Sequence, residues 1–292
     1  MKKWGIILKI IKNLSVLMAA LVLFVSLSAC KDSGFPVTVE NVEITESPQT
    51  VAVISEQAAS AICALGYKSY LVGAPSEFLT TKMEGVTDLG ETMFIDFEKI
   101  YELSPNLLIT PGELTSSVLE NLKIRNITVV LLKTPTKYSE VASYYEALSK
   151  IFLGEKNYTE AYDAYIGETE RIISETKTSL KGVNKKVALF VEEGFIATGD
   201  TIAGEAIERA GFINIGSKKI NYMMSAAEIK TANPDVIFCP EGLSETIMEM
   251  QVYKDVTAVK NGAVYEVDVS ALVFASEGFA ATIQSMSKYL LQ

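Results

Sequence analysis

The longest helical pattern of apolar positions in the chain covers residues 138–180 and separates two regions in which strands alternate with helices. Apolar side chains recur at spacings of three or four, at Val141, Tyr144, Leu148 and Ile151, and the pattern repeats at Tyr158, Ala161 or Tyr162, Tyr165 and Ile172. Gly154 interrupts the pattern where a helix C-cap is expected, so two helices are predicted. The second, over residues 155–180, would be a rod of about 40 Å at about 1.5 Å per residue. Such a rod either joins two lobes across a cleft or lies on the surface of one domain.

Before this rod, short apolar runs alternate with helical patterns. We predict strands at residues 37–44, 51–54, 71–73, 107–110 and 128–132, and helices at residues 57–65, 97–103 and 116–122. Gly66 closes the first helix, and Asp96 is placed to begin the second. Strands separated by helices of about ten residues indicate parallel pairing with helices on the faces of the sheet.

The same alternation returns after the rod. We predict strands at residues 186–191, 236–239 and 263–267, helices at residues 202–210, 225–231, 244–250 and 279–291, and a loop at residues 270–274. The predicted fold class is therefore α/β, with two lobes joined by a long helix. The predicted boundaries are a signal at 1–29, an amino-terminal lobe at 30–137, linking helices at 138–182 and a carboxy-terminal lobe at 183–292.

A weak internal repeat relates the two lobes. In the first lobe Glu98 opens a short helix and Pro105 precedes the following buried strand, and in the second lobe Glu228 and Pro234 are arranged in the same way. The spacing from glutamate to proline differs by one residue between the two lobes, so spacing alone does not establish the repeat. The support for it is that the pattern occupies the equivalent place in both lobes.

The amino terminus has the features of an export signal. It begins with four lysines, continues with an apolar run at residues 14–27 that is short for a membrane span, and ends in Leu27-Ser28-Ala29-Cys30. This ending resembles the lipobox of bacterial lipoproteins, in which the cysteine thiol receives a diacylglyceryl group and becomes the first mature residue. The alternatives are an ordinary secretory signal or a membrane anchor. The resemblance implies an exported protein held by Cys30 at the extracytoplasmic face of the cell membrane.

The composition excludes several classes of site. The chain contains no histidine, which removes Ser-His-Asp and Cys-His nucleophile systems and His-ligated zinc. The formal net charge is −10, and removal of the four signal lysines makes the mature chain more acidic, which argues against a nucleic-acid partner. The arginines are Arg125, Arg171 and Arg209 alone, so bidentate grips on carboxylates or phosphates are hard to build.

Two cysteines remain after Cys30. Cys63 and Cys239 lie in apolar surroundings far apart in sequence, and they are either two buried thiols or a disulfide. No CxxC pair or Cys/His cluster occurs, which argues against a structural zinc site.

Several short sequence motifs, taken in their order along the chain, resemble those of a known family. The motifs are the lipobox, Ala64-Leu65-Gly66 at a helix end, Leu71-Val72-Gly73, the stretch from Glu98 to Ile109, Thr198-Gly199-Asp200 before a helix ending in Ala210-Gly211, and Asn233-Pro234-Asp235-Val236-Ile237. Together they look like the substrate-binding proteins of ABC importers for iron-siderophore complexes, haem or cobalamin. The resemblance implies two Rossmann-like lobes, a ligand in the cleft between them, little hinge closure, and a permease and ATPase complex as partner. It implies no catalytic residue, resident cofactor or protein-bound metal.

The resemblance also implies that one glutamate on each lobe docks into arginine pockets of the permease, and the matching residues are Glu98 and Glu228. Two acids far apart on one face would give a two-point electrostatic register with a basic partner. Both residues have a local alternative. Ser225 and Glu228 have the spacing of a capping box, and Glu98 is an acid in a first helical turn.

The chain departs from the family pattern at three places. Thr50 stands where the family often has an arginine, a glutamate common in the first helix is replaced near Ser60, and Asn106 follows the first-lobe proline in place of aspartate. Glu56 lies one turn before Ser60. These differences affect capping and packing more than ligand binding.

Cleft residues are expected in loops after the carboxyl ends of the strands. The candidates for ligand binding are Glu56, Glu91, Phe94, Gly112, Glu113, Glu193, Phe195, Tyr222, Met223, Glu241 and Phe274. This set is acidic and aromatic and lacks cations, so anionic ferric citrate or ferric catecholates fit poorly. A hydroxamate siderophore complex or a corrinoid fits better. Haem is a third choice, with iron ligated by Tyr222, Met223 or Met224.

Two other functions stay open at this point. One is an exported enzyme with carboxylate chemistry, for which Glu192 and Glu193 are the acidic pair to consider. The other is a surface lipoprotein that senses a small molecule without a permease.

Overall fold

The computed structural model describes residues 34–79 and 83–292, which form two α/β lobes and the helices that link them. The predicted signal at 1–29 and the predicted lipidation site Cys30 lie outside the described residues. Within the described ranges, no helix combines the length and the apolar character needed to cross a membrane.

The amino-terminal lobe is built on a parallel sheet. Its elements are β1 (Val37–Val39), β2 (Val42–Ile44), β3 (Val51–Val53), α1 (Glu56–Ala64), β4 (Leu71–Ala74), β5 (Thr87–Asp88), α2 (Phe97–Leu103), β6 (Leu107–Thr110), α3 (Ser116–Ile124) and β7 (Thr128–Leu131). The strand order is β5-β4-β3-β6-β7, and every neighbouring pair in it is parallel. The order reverses beside β3, which places a switch point between β3 and β6.

Two helical segments link the lobes. The first, α4 (Tyr138–Leu153), ends at Gly154, whose φ of 74° is in the region that favours glycine. The second begins with α5 (Thr159–Tyr162), continues through a π-helical turn (Asp163–Gly167) and ends with α6 (Glu168–Ser179). We call residues 159–179 the spanning helix, which corresponds to the predicted rod.

The carboxy-terminal lobe repeats the parallel arrangement. Its elements are β8 (Lys186–Glu192), β9 (Phe195–Ile196), α7 (Ile202–Arg209), β10 (Ile213–Asn214), α8 (Ala226–Ala232), β11 (Val236–Cys239), α9 (Ser244–Glu249), α10 (Thr257–Lys260), β12 (Val264–Glu266), α11 (Val269–Phe274) and α12 (Phe279–Leu290). Its sheet has the order β10-β8-β11-β12, with β9 antiparallel to β8. The two sheets are separate, which confirms the predicted α/β fold class.

The linking helices share a core with both lobes. Tyr145, Leu148 and Ile151 of α4 are fully buried in a cluster that also holds Ile62 of the first lobe and Ile283 of the second. At its amino end, α4 is capped from the other lobe, because the Ser139 amide and hydroxyl both donate to the Glu205 carboxylate, at 3.0 and 3.1 Å. The linker is therefore packed rather than extended through solvent.

The internal repeat is visible in the structure. α2 and α8 each have seven residues, and each ends in a left-handed residue, Ser104 or Asn233, before the proline that precedes a buried strand. The next residue then ties that strand to its neighbour: Asn106 Oδ1 accepts from the Thr50 amide at 3.0 Å, and Asp235 Oδ2 from the Lys186 amide at 2.7 Å. Asn106 therefore does in this lobe what an aspartate does in the other.

Some local predictions were wrong. Residues 37–44 form a β-hairpin rather than one strand, because Glu40 and Asn41 have positive φ and reverse the chain. Residues 270–274 belong to helix α11 rather than to a loop, because Asp268 caps the amide of Ala271 at 3.0 Å. The short strands β5, β9 and β10 and the helix α10 were not predicted.

Cys63 and Cys239 are free thiols, one in each lobe. Cys239 is fully buried, and this burial, together with Glu266, raises the pKa of its thiol to about 11. A disulfide between the two is therefore absent from the structure.

Candidate functional site

The two lobes face each other across a cleft at the carboxyl ends of their strands. Gln57, just after β3, donates from Nε2 to the backbone oxygen of Phe274 in the other lobe at 2.8 Å. A ligand site at this place agrees with the general rule that open α/β sheets bind ligands where the strand order reverses.

Two pockets open into this cleft. The first has a volume of about 500 Å³ and an apolar lining that includes Val191, Phe195, Tyr222, Val269 and Phe274. The second has a volume of about 620 Å³ and lies on the interlobe side, where Gln57, Lys137 and Asp200 contribute polar groups. Both volumes lie within the range of small-molecule sites.

The pockets share a dividing wall made of Asn221, Tyr222, Val273 and Phe274. Asn221 and Tyr222 have φ values of 57° and 61°, a left-handed conformation that needs support from neighbouring groups. Their amides supply it, because Asn221 N donates to Asp200 Oδ2 at 3.0 Å and Tyr222 N to Thr198 Oγ1 at 3.0 Å. Thr198 and Asp200, from the sequence motif Thr198-Gly199-Asp200, therefore hold one side of the wall in place through these hydrogen bonds.

These contacts shift the pKa values of Asp200 and Tyr222. Burial by itself raises the pKa of Asp200, but hydrogen bonds from Thr198 and Asn221 outweigh it and leave that pKa below its ordinary value. Burial, with Asp200 nearby, raises the pKa of Tyr222. At neutral pH the Asp200 carboxylate is therefore ionised and the phenol of Tyr222 is protonated.

Acidic groups surround the cleft. A third pocket of about 660 Å³ beside the first contains Glu241, Glu266 and Asp268. On the amino-terminal lobe Glu56 is half-buried, and burial followed by repulsion from Glu77 raises the pKa of its carboxyl. Lys137 is the sole cation that lines any of these three pockets in the described part of the chain.

The predicted ligand residues fall into two groups. Phe195, Tyr222 and Phe274 line the first pocket together, and Glu241 lines the acidic one. The remaining candidates are not among the residues that line these pockets: Glu56, Glu91, Phe94, Gly112, Glu113, Glu193 and Met223. Phe94 and Met223 are 76% and 60% exposed. Contact of these two side chains with a ligand stays a prediction.

Several lining residues were not predicted, notably Gln57, Lys137 and Asn221. Asn221 carried a signal, because asparagine is among the residues that adopt the left-handed conformation most readily. Gln57 carried none, since it occupies an ordinary position in helix α1.

The two predicted docking glutamates are both exposed but differ in their contacts. Glu98 lies in the first turn of α2, and no hydrogen bond or ion pair of its carboxylate is found among the described residues. Glu228 forms the predicted capping box, accepting from the Ser225 amide at 2.9 Å, and also pairs with Lys219. Lys219 and then Ser225 lower the pKa of Glu228 to about 2.

The chain is similar in sequence to known proteins. A family model described as periplasmic binding protein matches residues 51–271. The Fe(3+)-citrate-binding protein YfmC of Bacillus subtilis is 25% identical over 191 residues, a match that covers 62% of this chain and 59% of YfmC. The petrobactin-binding protein YclQ of the same organism is 25% identical over 319 residues, covering 95% of this chain and 97% of YclQ.

Solved structures share the fold. The periplasmic haem-binding protein HutB of Vibrio cholerae superposes with a TM-score of 0.69 at 17% identity, covering 84% of this chain and 99% of HutB. At that level of identity the likeness shows the architecture and leaves the ligand of this chain open.

Proposed function

Because the chain belongs to the periplasmic binding protein family, whose members are transport components, we propose that it is the substrate-binding component of an ABC importer. It captures a metal chelate in the interlobe cleft and delivers it to a membrane permease. The observation that carries this proposal is a pair of adjoining pockets that share Tyr222 and Phe274, one in the carboxy-terminal lobe and the other lined by residues of both lobes.

The charges of the cleft support a neutral or cationic ligand. Glu192, Asp200 and the acids of the third pocket outnumber Lys137, and none of the three arginines lines a pocket of the described residues. An anionic chelate would meet repulsion from these carboxylates without a guanidinium to offset it. A ferric hydroxamate complex or a corrinoid meets mainly aromatic and apolar surface.

The names of the relatives span several ligands. YfmC is a ferric-citrate-binding protein, YclQ binds petrobactin and HutB binds haem. The acidic lining of this chain's cleft instead supports a neutral or cationic ligand.

The test is a binding panel on the purified protein without its signal. We expect ferrioxamine, a cationic ferric trihydroxamate, or cyanocobalamin, a neutral corrinoid, to bind at least about tenfold more tightly than ferric citrate, a difference of about 1.4 kcal/mol. Phe274→Ala should weaken that binding, while Tyr158→Ala, on the linker and outside the pockets, should leave it unchanged. Tightest binding of ferric citrate would overturn the ligand class, and no binding by any chelate would overturn the import function.

Native mass spectrometry of the protein taken from its own growth medium adds an unbiased arm. Haem, corrinoid and ferric hydroxamate differ in visible absorbance, so a spectrum of the same sample identifies which class is retained. An apoprotein that shows turnover of a substrate would instead favour the carboxylate enzyme.

We also propose that Glu98 and Glu228 dock on the permease and that Cys30 carries a lipid. The docking proposal is supported by the exposure of both carboxylates in equivalent helices of the two lobes. The lipid proposal is supported by the Leu27-Ser28-Ala29-Cys30 sequence.

A further inference from the structure

The carbonyl end of helix α11 is held by side chains from outside its own lobe. The Phe274 oxygen accepts from Gln57 of the first lobe at 2.8 Å. The Ala275 oxygen accepts from Tyr145 Oη at 2.6 Å and from Tyr165 Oη, and Tyr165 Oη also lies 2.9 Å from the Ser276 oxygen. Three consecutive carbonyls thus receive donors from the first lobe and the linker.

The two tyrosines form a single unit. Their rings stack with centroids 4.3 Å apart and planes within 3° of each other. Tyr145 is fully buried and belongs to α4, the first of the two linking segments. Tyr165 belongs to the second. Tyr165 lies in the π-helical turn, where the wider ladder changes the direction of side chains relative to an α-helix.

These donors matter because the backbone cap of α11 satisfies the Ala271 carbonyl, through the Ser276 amide at 3.1 Å, and leaves the Phe274 and Ala275 carbonyls to side chains. The last carbonyls of any helix lack intrahelical partners, and buried carbonyls without partners are costly. α11 has six residues, and Ala275 adopts φ of 46° after its last turn. Its position therefore depends on the groups that receive its carbonyl end.

Helix α11 is also a wall of the ligand site. Val269, Ser270, Val273 and Phe274 line the first pocket, and Val273 and Phe274 belong to the wall that both pockets share. A shift at the carbonyl end of α11 would move Phe274 directly.

We propose that Gln57, Tyr145 and Tyr165 are positioning residues for the ligand cleft. By capping α11 from the first lobe and the linker, they fix the separation of the lobes and the place of Val273 and Phe274 before the ligand arrives. This inference rests on the proposed function for its consequence in binding, whereas its structural part concerns the lobes alone.

The structural part is tested without any ligand. Spin labels are placed at the exposed positions Ser117 and Thr246, one on each lobe, in a chain without its signal that carries Cys30→Ala, Cys63→Ala and Cys239→Ala. The interlobe distance distribution is then measured by pulsed electron resonance. Tyr145→Phe with Tyr165→Phe should broaden or shift the distribution. The control is Tyr144→Phe, which removes a buried hydroxyl that has no hydrogen-bond partner in the described part of the chain and should leave the distribution unchanged.

The functional part uses ferrioxamine as probe. The double variant should raise its dissociation constant by about tenfold, since two hydrogen bonds that hold the wall are lost, and Tyr144→Phe should change it by less than about twofold. Gln57→Met provides an independent variant, which matters if the double variant fails to fold. Distance distributions and affinities that match the unaltered protein in every variant would overturn the proposal, whereas failure of the unaltered protein to bind any chelate would overturn only the proposed function.

Discussion

Glu98 and Glu228 occupy equivalent places but are bound differently by their surroundings. Glu98 projects from the first turn of α2, whereas Glu228 is engaged by Ser225 and Lys219. A partner that takes Glu228 must therefore compete with Lys219, while one that takes Glu98 meets a carboxylate without such a competitor among the described residues. If both dock, the two contacts contribute unequally.

The docking proposal predicts a loss of uptake without a loss of ligand affinity. Glu98→Lys with Glu228→Lys should lower cellular uptake of the bound chelate roughly tenfold or more, because both charges of the register are reversed. Glu102→Lys with Glu249→Lys makes the same change of net charge at other exposed positions and should be nearly neutral. Since Glu228→Lys also breaks a helix cap, Glu228→Gln is measured beside it. Normal transport by the double reversal would remove the docking proposal.

The contacts of Glu228 also predict its titration. Because Lys219 and Ser225 lower its pKa from 4.5 to about 2, its contribution to stability is present above about pH 4.5 and is lost as the pH falls toward 2. Carbon NMR of the side-chain carboxyl should give a midpoint near pH 2. Lys219→Met should move that midpoint toward 4.5, and an unchanged midpoint would contradict the role of the ion pair.

At the scale of single elements, the sequence predicted what local chemistry determines. Asp96 and Ser225 cap the helices they were expected to begin, and Gly154 ends α4 with positive φ. Elements of two residues such as β5 and β9 carry too few positions for a periodicity, and their pairing depends on strands distant in sequence. Helix α11 was also missed, because the apolar run at residues 269–274 is equally compatible with a strand, a helix or a loop.

The close approach at the start of α7 makes a specific prediction. A Cβ on Gly204 would lie 1.9 Å from the Thr198 backbone oxygen, so Gly204→Ala must displace the segment that supports the cleft wall. We expect its free energy of unfolding to fall by about 3 kcal/mol. Gly112→Ala, where no atom lies within 4 Å of the added carbon, should stay within about 0.5 kcal/mol. Urea unfolding measures both, and equal stabilities would show that the contact relaxes freely.

At the scale of the whole molecule, the order of lobes, linker and cleft followed from the alternation of strands and helices and from the family resemblance. The aromatic lining of the first pocket was largely predicted, since Phe195, Tyr222 and Phe274 meet there. Gln57 and Lys137 were not, because their place in the cleft depends on how the two lobes pack. That packing is set by buried contacts from α4 to both lobes, which no local pattern encodes.

The proposed anchor predicts where the protein is found. Cys30→Ala should lower the share of the protein in the membrane fraction, because the substitution removes the thiol that would carry the lipid. Fractionation with immunodetection measures this, and Cys63→Ala is the matched control. An equal membrane content of the Cys30 variant would contradict the lipid anchor.

The cap that Glu205 provides for α4 has a consequence for dissecting the molecule. Ser139 takes its acceptor from the second lobe, so a fragment that stops after Leu153 would expose an unsatisfied helix start together with one face of Tyr145. The complementary fragment would leave the carbonyls after Phe274 without their donors. We therefore expect each separately expressed half to fold poorly alone. The two halves should regain structure when they are mixed, because they form one cooperative unit.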